Sequence, residues 1–327
     1  MNNLSMTFAC VDNVRIGQII RKLVSPQNID LNILLFENYS DLFQEVFSKK
    51  KYDLAEISLS GYIKAKSEGN QTFLAIPVFP SRMFRHSFIF VNKNSNIKEP
   101  HQLKNKVVGV PDYTSTASLW IKGLLSDQYG VKPEEIRWLQ GPLDDINERQ
   151  KVGIVYKDVS IEETGEGNTL NQMLLEEKIQ AIVSHKIPSC FRSNPGTIQR
   201  LFTNYKDLEV DYYRKTKIFP IMHTVVIKNE IYQRHPWVAL SLQKAFSQAL
   251  AHSLEELNKT DVLNTNIIWE KTALEEQNSI FGANPWSYGI KNNYHVLDTA
   301  ARYSYEQGLS KCRMTVKELF CPTTLET

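Results

Sequence analysis

Short apolar runs recur along the chain, separated by stretches whose apolar positions fall at helical spacing. Residues 4–9 read as a strand, 10–13 as a loop and 14–23 as a helix, with a second strand at 30–36. Ser40 reads as the N-cap of a helix that carries Leu42, Phe43, Val46 and Phe47 on one face. A short buried strand at 52–56, a helix at 60–67, a strand at 73–79 closed by Pro80 and a strand at 87–92 follow. The pattern then restarts with a strand at 106–110 stopped by Pro111, a helix at 116–129 and a strand at 136–139. A polar loop over 141–151, a helix at 169–177 and a strand at 181–184 come next. Residues 212–221 lead to a strand at 223–227, and beyond it the pattern is helical over 236–257, 273–281 and 293–308, with a last turn near 316–320.

Strands alternating with helices imply βαβ units and largely parallel sheets. One α/β set, a second set and a returning helical segment imply an α/β protein of two lobes joined by two crossings, placed near 91–94 and 221–225. Lobe one is then residues 1–92 plus 226–327, with the helical C-terminal segment packed on it, and lobe two is residues 93–225. In such a layout a ligand sits in the cleft between lobes, at the carboxyl ends of strands. The length of 327 residues fits two lobes, and 42% hydrophobic content gives each a core.

Net charge is +2, from 38 basic and 36 acidic residues, which leaves no basic face for nucleic acid. No apolar run approaches the ~20 residues of a membrane span, and the first residues lack the basic and apolar regions of a signal peptide. The expectation is a cytoplasmic protein whose partner is a small carboxylate, with no nucleic acid and no membrane, and with a homo-oligomer left open. Cys10, Cys190, Cys312 and Cys321 are scattered and read as free thiols in a reducing compartment.

Five places put polar groups just after strands. Asp12, Asn13 and Arg15 follow the first and read either as a helix cap or as groups facing the cleft. Glu56, Ser58 and Ser60 bracket the next strand end and helix start, where the hydroxyls could cap the helix or hold a carboxylate. Arg82, Arg85 and His86 lie within five residues of one another, and arginine offers a planar fork for carboxylates while histidine moves protons near neutral pH. Tyr113, Thr114, Ser115 and Thr116 open a helix and form a candidate anion cradle. His223 precedes an apolar strand at the second crossing, with Ser184 and His185 as a weaker version of the same signal. The chain has no phosphate-binding G-x-x-x-x-G-K-[ST] loop, no G-x-G-x-x-G, no G-x-S-x-G and no H-E-x-x-H. Nothing in the spacing of His, Cys, Asp and Glu provides a metal site, and no cofactor is expected.

Three segments carry a resemblance. They are the block from Ala75 through Pro77, Pro80, Arg82, Arg85 and His86 to Ser87, the run Lys106-Val107-Val108-Gly109-Val110-Pro111-Asp112-Tyr113, and the run Phe219-Pro220-Ile221-Met222-His223-Thr224. Together with His235-Pro236-Trp237, Asn284-Pro285-Trp286-Ser287-Tyr288-Gly289 and Tyr305-Glu306-Gln307-Gly308, they resemble the 4,5-dihydroxyphthalate decarboxylase family over nearly the whole chain. The resemblance implies a type II periplasmic-binding-protein fold turned to enzymology. It also implies conversion of 4,5-dihydroxyphthalate to protocatechuate and CO2. Where the family's first loop usually reads Gly-Asp-Tyr-Asp, this chain has Cys10-Val11-Asp12-Asn13, and residues 141–168 also diverge. Both departures fall where a ligand would be read.

The reaction so implied is a cofactor-free decarboxylation of a hydroxylated aromatic acid. Arg82 and Arg85 suit the carboxylate clamp, with Ser58, Ser60 and the 113–116 cradle as further contacts. His86 or His223 suits the proton donor, and Asp12 or Glu56 orients a histidine or accepts a proton. Two alternatives stand beside it: another cofactor-free lyase or biosynthetic tailoring enzyme on this fold, and a non-catalytic cytoplasmic protein that binds a small carboxylate.

Overall fold

The computed structural model describes residues 3–148, 155–157 and 159–327. Residues 149–151 of the expected polar loop therefore lie outside the described residues. The chain opens with β1 (Leu4–Val11), α1 (Gly17–Ile20), β2 (Ile29–Phe36), α2 (Tyr39–Lys49), β3 (Leu54–Ser58), α3 (Leu59–Ser67) and β4 (Phe73–Arg82). It continues with β5 (Ile89–Asn92), β6 (Val107–Val110), α4 (Thr116–Tyr129), β7 (Arg137–Gln140), β8 (Ile161–Glu163), α5 (Leu170–Leu175), β9 (Ala181–Val183), α6 (Ser189–Ser193), β10 (Ile198–Arg200) and α7 (Tyr205–Thr216). It ends with β11 (Ile221–Lys228), α8 (Asn229–Arg234), α9 (Trp237–Asn258), α10 (Glu270–Phe281), α11 (Tyr294–Glu306) and α12 (Val316–Leu319). No helix among the described residues is long and apolar enough to cross a membrane.

The strands form two sheets, in the orders β2-β1-β3-β11-β4 and β10-β5-β9-β6-β7-β8. In the first, β1, β2 and β3 run parallel, and β11 is inserted antiparallel between β3 and β4. In the second, β6, β7, β8 and β9 are parallel, and near one edge β5 runs antiparallel between β9 and β10. The expected lobe boundaries need correction. Strand β5, assigned above to lobe one, pairs with β9 and β10 in the second sheet, so the first crossing falls at residues 83–88. Strand β11 pairs with β3 and β4 from Ile221 onward, so the second crossing precedes residue 221. An apolar run predicts a strand but carries no record of which sheet will accept it.

Local chemistry explains the element ends. Helix α2 is capped by Asn38, whose side chain accepts from the Asp41 amide, and not by Ser40. Ser58 caps α3 and Ser115 caps α4, which stops at Gly130 in the left-handed conformation (φ 63°). The helix expected over 14–23 shrinks to α1, because Lys22 turns left-handed (φ 58°). Strand β4 runs past both of its prolines to Arg82, which is tolerated because β4 is an edge strand. Pro77 and Pro80 have no N–H to pair, and the β4–β11 register slips on either side of His223.

The C-terminal segment does more than cover lobe one. Helix α9 buries Val238, Leu242, Phe246 and Ala249 on the first sheet, with Phe246 edge-on to Phe8 at 5.5 Å. Val238, Leu242 and Phe246, fully buried, each contribute roughly 1.5–3 kcal/mol. Helix α11 instead packs on both α3 and α4, so the tail straddles the lobes. Tyr303 of α11 donates to Asp127 at 2.7 Å, Arg302 pairs with Asp127 at 2.6 Å, and Gln307 donates to the Leu119 carbonyl at 2.9 Å. Trp120 of α4 donates to the Ile221 carbonyl, tying lobe two to the start of β11. The apolar core is accordingly continuous across both sheets, with a smaller cluster around Phe90, Leu143, Leu170 and Ile182.

Gly123 sits where α4 meets the Tyr303 ring. A Cβ there would lie 2.1 Å from a ring carbon. Gly123→Ala is expected to destabilise the protein by about 1–3 kcal/mol through overpacking. The urea midpoint measures it, and an unchanged midpoint would show that α11 yields at no cost.

Candidate functional site

Because β11 runs antiparallel, its first residues share one edge of the sheet with the carboxyl ends of β1, β3 and β4. His223 lies there, in register with Ser58 on one side and Ser81 on the other. Its ring reaches diagonally to Glu56, with Nδ1 2.7 Å from Oε1. The Glu56 side chain is fully buried and that of His223 is 13% exposed. A carboxylate removed from water in this way is stable only with a donor against it. A carboxylate oxygen can only accept, so Nδ1 carries a proton in this pairing and Nε2 is left to face a ligand. The other carboxylate oxygen, Oε2, is buried with no hydrogen-bond partner among the described residues.

Aromatic rings hold the imidazole. Tyr39 meets it at 4.4 Å between centroids and Phe43 at 5.0 Å, both edge to face. Burial, reinforced by the charge of Glu56, pushes the Tyr39 phenol up and keeps it protonated. Burial and the charges of Glu56 and Asp12 do the same for the Cys10 thiol, which is therefore no thiolate nucleophile. Tyr288 has a buried hydroxyl without a partner among the described residues; burial raises it, and it feels the charges of Arg15, Arg82 and Glu56. Sequence reasoning named Tyr39 not at all and met Trp286 and Tyr288 only as echoes of a family. For Tyr39 the usable signal was its place just after β2, and for Trp286 and Tyr288 nothing in the sequence placed them near this edge.

The remaining candidates make other contacts. Asp12 is exposed and makes no hydrogen bond or ion pair to either histidine. Asn13 caps the turn, accepting from the Arg15 amide. Arg82 is buried, and its Nη groups serve the carbonyls of Phe219 and Ser287 and the Asn293 side chain. Arg85, also buried, serves the His185 carbonyl and the Met222 sulfur. Burial lowers both to about 10, so both stay charged at neutral pH. Neither makes an ion pair among the described residues, and each has an unpartnered Nε. Their forks fasten the two crossings to the 287–293 turn and to lobe two, which is a different task from gripping a ligand.

His86 is packed between Phe202 and Tyr212, with Nδ1 3.8 Å from Glu209. Burial lowers it to about 4, so it is neutral at pH 7 and ill placed to donate a proton. The serine and threonine hydroxyls expected to cradle a ligand bond to one another. Ser58 Oγ and Thr116 Oγ1 lie 2.9 Å apart, the Ser60 amide donates to Thr116 Oγ1, and Ser60 Oγ donates to the Thr114 carbonyl. Thr114 and Ser115 are also held by Asp112. These bonds join the amino ends of α3 and α4 and latch the lobes. Tyr113 is buried against Trp138, with the Lys122 ammonium over its ring. A surface groove of about 570 Å3 between Leu35 and Lys51 shares no residue with the Glu56–His223 cluster. Among the described residues, no group of three His, Cys, Asp or Glu side chains is placed to hold a metal ion.

Two latched α/β lobes with a polar cluster at the strand ends define a protein of the type II periplasmic-binding-protein class. Residues 19–152 match the family of phosphonate ABC-transporter periplasmic substrate-binding proteins. The fold resembles the periplasmic aliphatic sulphonate binding protein of Escherichia coli, at a TM-score of 0.55 and 12% identity over 99% of both chains. It also resembles the desulfurization enzyme DSZB, at a TM-score of 0.50 and 11% identity over 99% of this chain and 98% of that one. Sequence comparison is more specific. The chain is 32% identical to 4,5-dihydroxyphthalate decarboxylase of Comamonas testosteroni over its full length and 99% of that protein. It is 30% identical to the Pseudomonas putida enzyme of the same name, over 65% of this chain and 83% of that one. The chain belongs to the 4,5-dihydroxyphthalate decarboxylase family, and is an enzyme of the carboxy-lyase class.

The His86–Glu209 contact gives a pH test. Burial raises Glu209 from 4.5 to about 7. The folded state thus holds that proton more tightly than the unfolded chain, and stability is lost as pH rises between those values. Glu209→Gln removes the penalty, so Tm is expected to rise more at pH 8 than at pH 5 in thermal melts. An equal shift at both pH values would show that the carboxyl is not strained.

Proposed function

We propose that the protein decarboxylates a hydroxylated aromatic acid of the 4,5-dihydroxyphthalate type, without a cofactor, at the Glu56–His223 pair. The observation that carries this reading is the buried carboxylate against His223 Nδ1, with Nε2 and Glu56 Oε2 both left for a substrate. The names of the two relatives supply the substrate type.

Direct loss of CO2 would leave an aryl carbanion, so the ring carbon is protonated first. Glu56 Oε2 takes the proton of a ring hydroxyl para to the departing carboxylate, and the phenolate pushes its electrons to that ring carbon. The carbon takes a proton from His223 Nε2. The bond to the carboxylate then breaks, its electron pair restores the aromatic ring and CO2 leaves. Glu56 returns its proton to the phenolate oxygen, and His223 regains one from solvent. The net change is uptake of one proton per CO2 released. Closure of the lobes keeps water from the imidazole and strengthens each contact.

The test is CO2 release by chelator-treated protein from 4,5-dihydroxyphthalate and a panel of hydroxybenzoic acids. His223→Ala is expected to lower kcat by roughly 10²–10⁴-fold. Glu56→Gln should act in the same direction, and a folded His86→Ala should stay near the parent. Normal turnover by His223→Ala would refute the assignment. Binding with no CO2 from any acid would turn the reading toward a carboxylate-binding protein.

A further inference from the structure

We infer that Arg15, stacked on Trp286, is the group that grips the substrate carboxylate, and that the pair selects planar aromatic acids. The inference rests on the reading above for the reaction, but not for the binding.

Three arginines lie near the site, and their hydrogen bonds separate them. Arg82 and Arg85 spend their Nη groups on internal acceptors. Arg15 spends only Nε, on the Pro80 carbonyl at the carboxyl end of β4. Its Nη groups have no acceptor, and it makes no ion pair, among the described residues. The guanidinium lies over the Trp286 ring, 4.4 Å from its centre. Phe219 packs edge-on to Trp286 at 5.2 Å and holds the indole. Nε and the indole face thus fix the guanidinium plane, while the Nη edge stays open. An open edge held in this way accepts a carboxylate through two parallel bonds with little entropy left to lose.

Its place in the electrostatics is consistent. The Arg15 charge is felt by both Tyr39 and Tyr288, the two phenols that also feel Glu56. Pro80 adjoins Ser81, which lies opposite His223 in the sheet, so the open fork and the Glu56–His223 pair sit at the same sheet edge. Arg15 is half-buried, which lets it meet a ligand as the cleft admits it. Trp286 offers its ring system beside the fork, and a planar anion gripped there lies against an aromatic wall of Trp286 and Phe219.

The experiment is calorimetric titration of the full chain with phthalate and with phthalamide, its uncharged diamide, for the parent, Arg15→Met and Arg15→Lys. The parent is expected to bind phthalate and not phthalamide. Arg15→Met should weaken phthalate binding by roughly 10–100-fold, as expected for loss of a charged hydrogen-bonding partner. Arg15→Lys should recover only part, because an ammonium has no fork. In turnover the same variants should raise KM with an unchanged pH profile. Melting curves like the parent's identify variants that are folded. Parent-like phthalate affinity in folded Arg15→Met, or no phthalate binding by the parent, overturns the assignment. Loss of binding in Arg15→Met together with no CO2 release by the parent would sink the decarboxylation reading and leave the Arg15 assignment standing.

Discussion

The contact between Glu56 Oε1 and His223 Nδ1 joins residues 167 positions apart in the chain, and the arrangement of the first sheet serves it. A fully buried carboxylate without a donor would cost several kcal/mol, more than most single contacts return. The donor comes from β11, a strand that arrives only after the chain has built all of the second sheet. Had β11 joined an outer edge instead of the slot between β3 and β4, Glu56 would have faced no histidine. The prolines of β4 also matter, because the register slips they impose flank the position of His223. A histidine placed at a slip, braced by Tyr39 and Phe43 and bonded through Nδ1 to Glu56, has its ring orientation set.

Charge without carboxylate partners is the second theme. Arg15, Arg82 and Arg85 are all half-buried or buried, and none makes an ion pair among the described residues. Backbone carbonyls and aromatic faces stabilise them instead: Arg82 over Phe79, Arg85 over Phe88 and Arg15 over Trp286. Such partners cancel only part of a positive potential, and the remainder favours an anion. The fold thus uses two arginines as internal fasteners at its crossings, and their residual field acts with the free edge of the third.

The lobes are held at three levels. Hydroxyls at the amino ends of α3 and α4 bond across the divide. Helix α11 lies over both helices and is pinned to Asp127. Beneath these, one apolar core runs from sheet to sheet. Likeness to binding proteins at 12% identity concerns this architecture alone. A fold does not assign chemistry, and on that the full-length likeness to a named decarboxylase speaks more directly.

Much of this was legible in the sequence, and the limit has a physical cause. Hydrophobic periodicity located most of the strands and the long helices, since each depends on residues a few positions apart. Turn residues marked where polar groups would emerge, and Glu56 and His223 were both singled out on that ground. What the sequence by itself determined was therefore the alternation of elements, the two-lobed α/β class and a short list of polar residues at strand ends. Only the tertiary structure decided which of them meet. It joined His223 to Glu56, gave the fork of Arg82 to carbonyls, sealed His86 among rings and turned the hydroxyl cradle into a latch. Strand order and the sheet that claims β5 are set by pairing between segments far apart in sequence, and local pattern carries no information about that pairing.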